Sequence, residues 1–271
     1  MTETHTILNK GEMIMAWTNT KDGLEIYYEV QGKGSPIVFQ SGYMGIHDIW
    51  QEQVKLLKES YLCITHDNRG YGLSSKPVDS SFYTMEKNAE DLKSVLDANN
   101  ITEPILLVAH SIGSLASLAF VTKYPQLVKG IIMAGGGSFT GESALKAGGN
   151  EEMFAAYQTT PSEAQQFYQR LGCSSEIALE ASKWQPTVFK NQTRAMLYYS
   201  ADSKLLSLDV PVLVIHGKDD VVSTKEGVYE IVENLPNSEW LEMENVNHFP
   251  QLEDPENLNI IIEKFIEKYF N

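Results

Sequence analysis

Cysteine is almost missing from this chain. Cys63 and Cys173 are the only two in 271 residues. That excludes a disulfide framework and any four-cysteine metal site. Long apolar runs are also missing: no stretch approaches the roughly 18 residues of a membrane-spanning helix. The apolar run at 13–17 is shorter than a signal-peptide core of roughly 7–15 residues. A cytoplasmic protein is therefore expected, with residues 1–14 dispensable and Met15 a second candidate start. Basic residues are scarce, 21 Lys+Arg against 36 Asp+Glu, for a net charge of −15. Such a surface repels phosphate backbones, so neither nucleic acid nor membrane is an expected partner. A small-molecule substrate is expected instead, acting on a monomer or homodimer.

The composition is otherwise that of an ordinary globular chain, 42% hydrophobic with 19 Gly and 10 Pro. Short β-branched runs alternate with amphipathic stretches. Ile37-Val-Phe, Tyr61-Leu-Cys-Ile-Thr, Ile105-Leu-Leu-Val-Ala, Ile131-Ile-Met-Ala and Val212-Leu-Val-Ile read as buried strands. Helical spacing appears near 48–59, 84–98, 111–124 and 253–269. This alternation predicts an α/β fold, a mostly parallel sheet covered by helices on both faces. Leu24-Glu-Ile-Tyr-Tyr-Glu-Val alternates and predicts an antiparallel edge hairpin. The rhythm stops over 138–209, where Phe139, Trp184 and other aromatics accumulate without a strand-like run. Seventy residues is too long for a plain loop, so a helical cap inserted at 138–209 is expected, splitting a core of 1–137 and 210–271.

The sharpest local signal is Ala109-His-Ser-Ile-Gly at the end of a buried strand, with a helix starting at once. Small residues flank Ser111 at two positions on each side, the spacing of a nucleophile elbow. A lone Ser-x-Gly would read as a helix N-cap; the preceding apolar strand favours the nucleophile. A serine hydroxyl needs a base to take its proton. Of six histidines, His5 lies in the terminus, and His66 and His216 end strands. His110 adjoins the serine but should point away from it. His47 lies early in the chain, and His248 lies in a late polar loop before the last helix.

Four motifs occur in order: Gln40-Ser-Gly-Tyr-Met-Gly, Asp67-Asn-Arg-Gly-Tyr-Gly-Leu-Ser, Ala109-His-Ser-Ile-Gly, and Gly217-Lys-Asp-Asp with Asn247-His-Phe-Pro. Together they resemble the α/β-hydrolase fold family over residues 20–137 and 209–271. The resemblance implies a triad of Ser111, Asp220 and His248, with Asp219 the alternative acid. It implies an oxyanion hole from the Tyr43 and Ile112 N–H groups. One departure stands out: relatives commonly read His-Gly where this chain has Ser41-Gly42, which puts the anchoring of that loop in question. The Asp67 motif is expected to be structural, with Arg69 paired to a carboxylate.

The expected activity is hydrolysis of an ester, lactone or related acyl bond through an acyl-enzyme, with no metal or organic cofactor. Alternatives on the same triad are a carbon–carbon bond hydrolase, an acyltransferase or a cofactor-free perhydrolase; a ligand receptor with a vestigial site is another. Met44, Phe139, Trp184 and Phe249 are the expected pocket walls. The 138–209 segment carries 8 acidic and 6 basic residues, which favours a small, mainly apolar substrate.

Overall fold

The computed structural model describes residues 5–9, 13–43, 45–137, 152, 160–183 and 185–270, the first of these as backbone only. Among the described residues nine strands form one sheet: β1 (His5–Asn9), β2 (Met13–Asn19), β3 (Glu25–Gln31), β4 (Pro36–Gln40), β5 (Leu62–His66), β6 (Ile105–His110), β7 (Val128–Ala134), β8 (Val212–Gly217) and β9 (Ser238–Met243). Their spatial order is β1-β2-β3-β5-β4-β6-β7-β8-β9. The six strands from β5 to β9 run parallel, and β1, β2 and β3 add an antiparallel flank. The reversal of order at β4 leaves the C-terminal edge open beside β4 and β6, where ligands of such sheets bind.

The sheet is buried on both faces, as the apolar runs required. Along β4, Val38 joins one core while Ile37 and Phe39 join the other. Along β6, Ile105 and Leu107 alternate with Leu106 and Val108 in the same way. Helices α2 (Met85–Ala98) and α3 (Gly113–Lys123) cover the first face. Helix α1 (Gln51–Leu57), after a 3₁₀ turn at His47–Trp50, covers the second together with the last helix.

Two expectations need correction. The alternating segment at 24–30 is not at the edge: β3 lies between β2 and β5, and Ile26 to Val30 are buried. The residues read as dispensable include β1, which pairs with β2, and the first two residues of β2. A chain starting at Met15 would lose that outer pairing.

Between β7 and β8, the described residues hold only helices: α4 (Pro161–Arg170), α5 (Ser175–Ala181), α6 (Pro186–Leu197) and a 3₁₀ turn at Ser203–Ser207. Thr160 caps α4 with a capping box, its hydroxyl accepting from Glu163 N–H. After β8 come α7 (Lys225–Asn234), β9, the single turn α8 (Pro250–Glu253) and α9 (Pro255–Phe270). In α9, Leu258, Ile261, Ile262, Phe265 and Ile266 repeat at three- and four-residue spacing and are buried. Among the described residues no helix is long and apolar enough to cross a membrane.

Candidate active site

Ser111 sits between β6 and α3 with φ of 51°, a left-handed conformation that costs a non-glycine residue about 1–3 kcal/mol. The surrounding chain enforces it. Ser111 N–H donates to the Ala134 carbonyl of β7 at 3.2 Å, and its own carbonyl accepts from Ser114 N–H at 2.9 Å. Two residues on, Gly113 presses so closely on β4 that a Cβ there would lie 2.6 Å from the Gln40 carbonyl oxygen. The strand, sharp turn and helix therefore lift the hydroxyl at the sheet's C-terminal edge.

The three residues expected to form a triad meet here. His248 Nε2 lies 3.1 Å from Ser111 Oγ, and His248 Nδ1 lies 2.9 Å from Asp220 Oδ2. The other Asp220 oxygen accepts from Val222 N–H at 2.7 Å and Ser223 N–H at 2.9 Å. Burial alone would raise the Asp220 pKa, but His248 and these two N–H groups hold it below the usual carboxylate value. Asp219 is exposed and does not share this geometry, so Asp220 is the carboxylate that meets the imidazole.

The base loop is fastened from two sides. Glu253 of α8 accepts from Asn247 N–H and Phe249 N–H, both at 2.8 Å, bracketing His248. His110 Nε2 lies 2.9 Å from the His248 carbonyl oxygen. A carbonyl only accepts, so this nitrogen carries the proton. Burial pushes the His110 pKa down to about 3, assisted by His248 nearby, and the ring stays neutral. Asn247 Oδ1 accepts from Val221 N–H at 3.1 Å, tying the base loop to the acid loop. Phe249, expected in a pocket wall, is 2% exposed and packs 4.6 Å from the His110 ring. Met44, Phe139 and Trp184 lie outside the described residues.

The loop after β4 has its own anchors. Ser41 Oγ accepts from Trp50 Nε1 at 3.0 Å and donates to the Ile46 carbonyl at 2.9 Å. Asn68 Nδ2 donates to the Ser41 and Gly42 carbonyls at 2.8 and 3.3 Å, and Asn68 Oδ1 accepts from Gln40 Nε2 at 2.8 Å. A carboxamide from the Asp67 motif thus grips the segment leading to Tyr43. The Tyr43 ring lies 5.0 Å from Phe189 of α6. Ile112 opens α3 directly after the serine. Arg69 is fully buried in two-pronged contact with Asp91, at 2.6 and 2.7 Å, and also reaches Asp22 at 2.9 Å. This is the structural pairing expected of it. His110, Glu253 and Asn68 were not singled out from sequence as parts of the site. Their roles depend on pairings across the fold that no local spacing announces.

A mostly parallel sheet with a strand–turn–helix serine at its C-terminal edge is the architecture of a hydrolytic enzyme. The chain belongs to the alpha/beta hydrolase fold family, whose pattern matches residues 35–196. It is 28% identical over 255 residues to the non-heme chloroperoxidase CPO-A1 of Kitasatospora aureofaciens, covering 84% of this chain and 90% of that protein. It is 32% identical over 121 residues to the cis-3-alkyl-4-alkyloxetan-2-one decarboxylase of Shewanella oneidensis; that match spans 44% of this chain and only 38% of the relative. A solved structure described as "Est816 as an N-Acyl homoserine lactone degrading enzyme" aligns with a TM-score of 0.77 at 27% identity, over 90% of this chain and 98% of that one.

Proposed function

We propose that this enzyme hydrolyses carboxylic esters or lactones of small, mainly apolar substrates through an acyl-enzyme. The observation that carries the reading is the continuous relay Asp220–His248–Ser111, with contacts of 2.9 and 3.1 Å. In this mechanism His248 Nε2 takes the Ser111 proton as Oγ attacks the carbonyl carbon. Asp220 fixes the imidazole tautomer and stabilises its cation. Negative charge developing on the carbonyl oxygen is met by the Tyr43 and Ile112 N–H groups, each contributing about 3 kcal/mol to the transition state. His248 returns its proton to the leaving oxygen. Water, deprotonated by the same imidazole, then releases the acid and restores the serine. The segment 138–209 acts as a cap over this site and sets substrate size.

The similarity to an N-acyl homoserine lactone degrading enzyme supports cyclic esters among the substrates. Similarity to a non-heme chloroperoxidase favours a second reading on the same triad. There hydrogen peroxide replaces water in the second step, attacks the acyl-enzyme and leaves as a peracid.

A panel of chromogenic esters and lactones, run on wild type and Ser111→Ala, tests the proposal. We expect kcat/KM to fall by about 10³-fold or more in the variant. Turnover retained by Ser111→Ala would sink the assignment. Adding hydrogen peroxide and assaying peracid separates the two readings.

A further inference from the structure

A small cavity lies behind the loop after β4, between the elbow and helix α6. Gln40, Gly42 and Ile112 line it from the site side, Tyr71 and Asn88 from the core, and Gln192 from α6. Its free volume is about 10 Å³ for the centre of a water molecule, which is room for one. Three of these side chains carry a buried polar atom with no hydrogen-bond partner among the described residues: Gln40 Oε1, Tyr71 OH and Gln192 Oε1. Their residues are 1%, 1% and 2% exposed. Turning either carboxamide over does not relieve the problem. Gln40 Nε2 already donates to Asn68 Oδ1 at 2.8 Å, and Gln192 Nε2 donates to the Arg69 carbonyl at 3.1 Å.

The geometry points to a built water site that joins helix α6 to the loop carrying the oxyanion donor Tyr43. The chemistry of the lining sets the occupant. Two carboxamide oxygens need two donors, and a phenol hydroxyl can supply one donor of its own. One water matches this count, giving two O–H groups to the glutamines and accepting from Tyr71. An ammonium ion does not match, because it cannot accept, and among the described residues no acidic side chain lines the cavity to balance its charge. Met85 and Ala116 complete the lining with apolar surface, so the three polar atoms alone hold the water, and a water held by three partners is costly to remove. It completes a chain of bonds from Gln192 of α6 to Gln40, on to Asn68, and so to the Ser41 and Gly42 carbonyls. Gln192 is thereby a positioning residue for the oxyanion loop. The water site stands on the cavity itself; only its catalytic consequence rests on the proposed hydrolase reading.

Tyr71→Phe tests it, because it deletes only the hydroxyl. With the water in place, the variant loses one of three bonds. We expect kcat on an ester substrate to fall about 5-fold, the equivalent of one net hydrogen bond. KM should stay within about twofold, and Tm should not rise. With a dry cavity the substitution removes an unsatisfied group, so kcat stays unchanged and Tm rises; that result overturns the proposal. Gln192→Met should lower kcat at least as far. A crystal structure of the wild-type enzyme provides the independent arm. Density for one water within hydrogen-bond reach of Gln40, Tyr71 and Gln192 supports the site, and an empty cavity refutes it. If wild type turns over no ester or lactone, the hydrolase reading fails alone, and the Tm and density arms still decide the water.

Discussion

Two imidazoles lie close to Ser111, the proposed nucleophile, and make different contacts. His248 faces the Ser111 hydroxyl, while His110, one residue before the serine, turns away and reaches the His248 carbonyl across 138 residues of sequence. Because burial keeps His110 neutral down to a pKa of about 3, its donated hydrogen bond persists across the working range of any such enzyme. In the proposed mechanism its effect is positional: with Glu253, it holds the loop that carries His248. His110→Phe keeps the ring that stacks on Phe249 but leaves the His248 carbonyl without its donor. We expect kcat to fall about 10-fold, with KM little changed, since misplacing a catalytic group by a fraction of an ångström costs rate rather than affinity. His110→Gln, which keeps a donor of similar reach, should recover part of the loss. Equal kinetics for wild type and His110→Phe would show that Glu253 holds the loop alone.

At the scale of elements, the elbow works because three segments approach more closely than side chains normally allow. Gly113 meets the β4 backbone: a Cβ there would stand 2.6 Å from the Gln40 oxygen and 2.7 Å from the Ser41 oxygen. Gly113→Ala must therefore push α3 away from β4. We expect a loss of about 1–3 kcal/mol of stability, read by urea unfolding, with a larger fall in activity because Ile112 and the oxyanion loop shift together. An unchanged unfolding midpoint would mean that the helix start is softer than its packing implies. Gly135, after β7, makes another close approach. It has φ of 69°, and a Cβ there would lie 2.3 Å from the His248 carbonyl oxygen. A side chain at Gly135 has no room, and the carboxylate that meets His248 comes from Asp220 after β8. The parallel strands and the elbow were legible in sequence because they are short-range patterns: an apolar run, then a small residue, serine and glycine. Motif order pointed to Ser111, Asp220 and His248, whose side chains lie in contact. Asn68, Glu253 and the inner place of β3 were not legible, because each depends on partners from other elements. Asn68 grips a segment about 26 residues away in sequence, and β3 is an inner strand only because β2 and β5 pair on both sides of it.

Across the whole molecule, buried and half-buried imidazoles of opposite tendency shape the response to pH. His66 and His110 are enclosed without a carboxylate in hydrogen-bond contact, and burial lowers their pKa values from 6.5 to about 4 and about 3. The unfolded chain binds these protons first. Stability therefore falls as pH drops below about 6.5. His47 behaves in the opposite way. Burial would lower its pKa, but hydrogen bonds to Asp67 at 2.7 Å and Glu29 at 3.2 Å, with Asp48 alongside, raise it to about 11. The folded chain then holds a proton that the unfolded chain releases. This contribution is complete below about 6.5 and is lost as pH climbs toward 11. The two limbs meet near pH 6.5, where urea unfolding midpoints should be highest between pH 4.5 and 10. Repulsion within a chain of net charge −15 also weakens the fold in alkali, so the alkaline limb alone does not identify His47. His47→Gln separates the two causes. The variant should be less stable than wild type at pH 6.5, and the gap should narrow steadily toward pH 10. Its acid limb should keep the contribution of His110, whereas those of His66 and Glu29, whose pKa values His47 helps to lower, should shift with the substitution. A gap that stays constant with pH would show that His47 contributes packing and hydrogen bonds without a charge of its own.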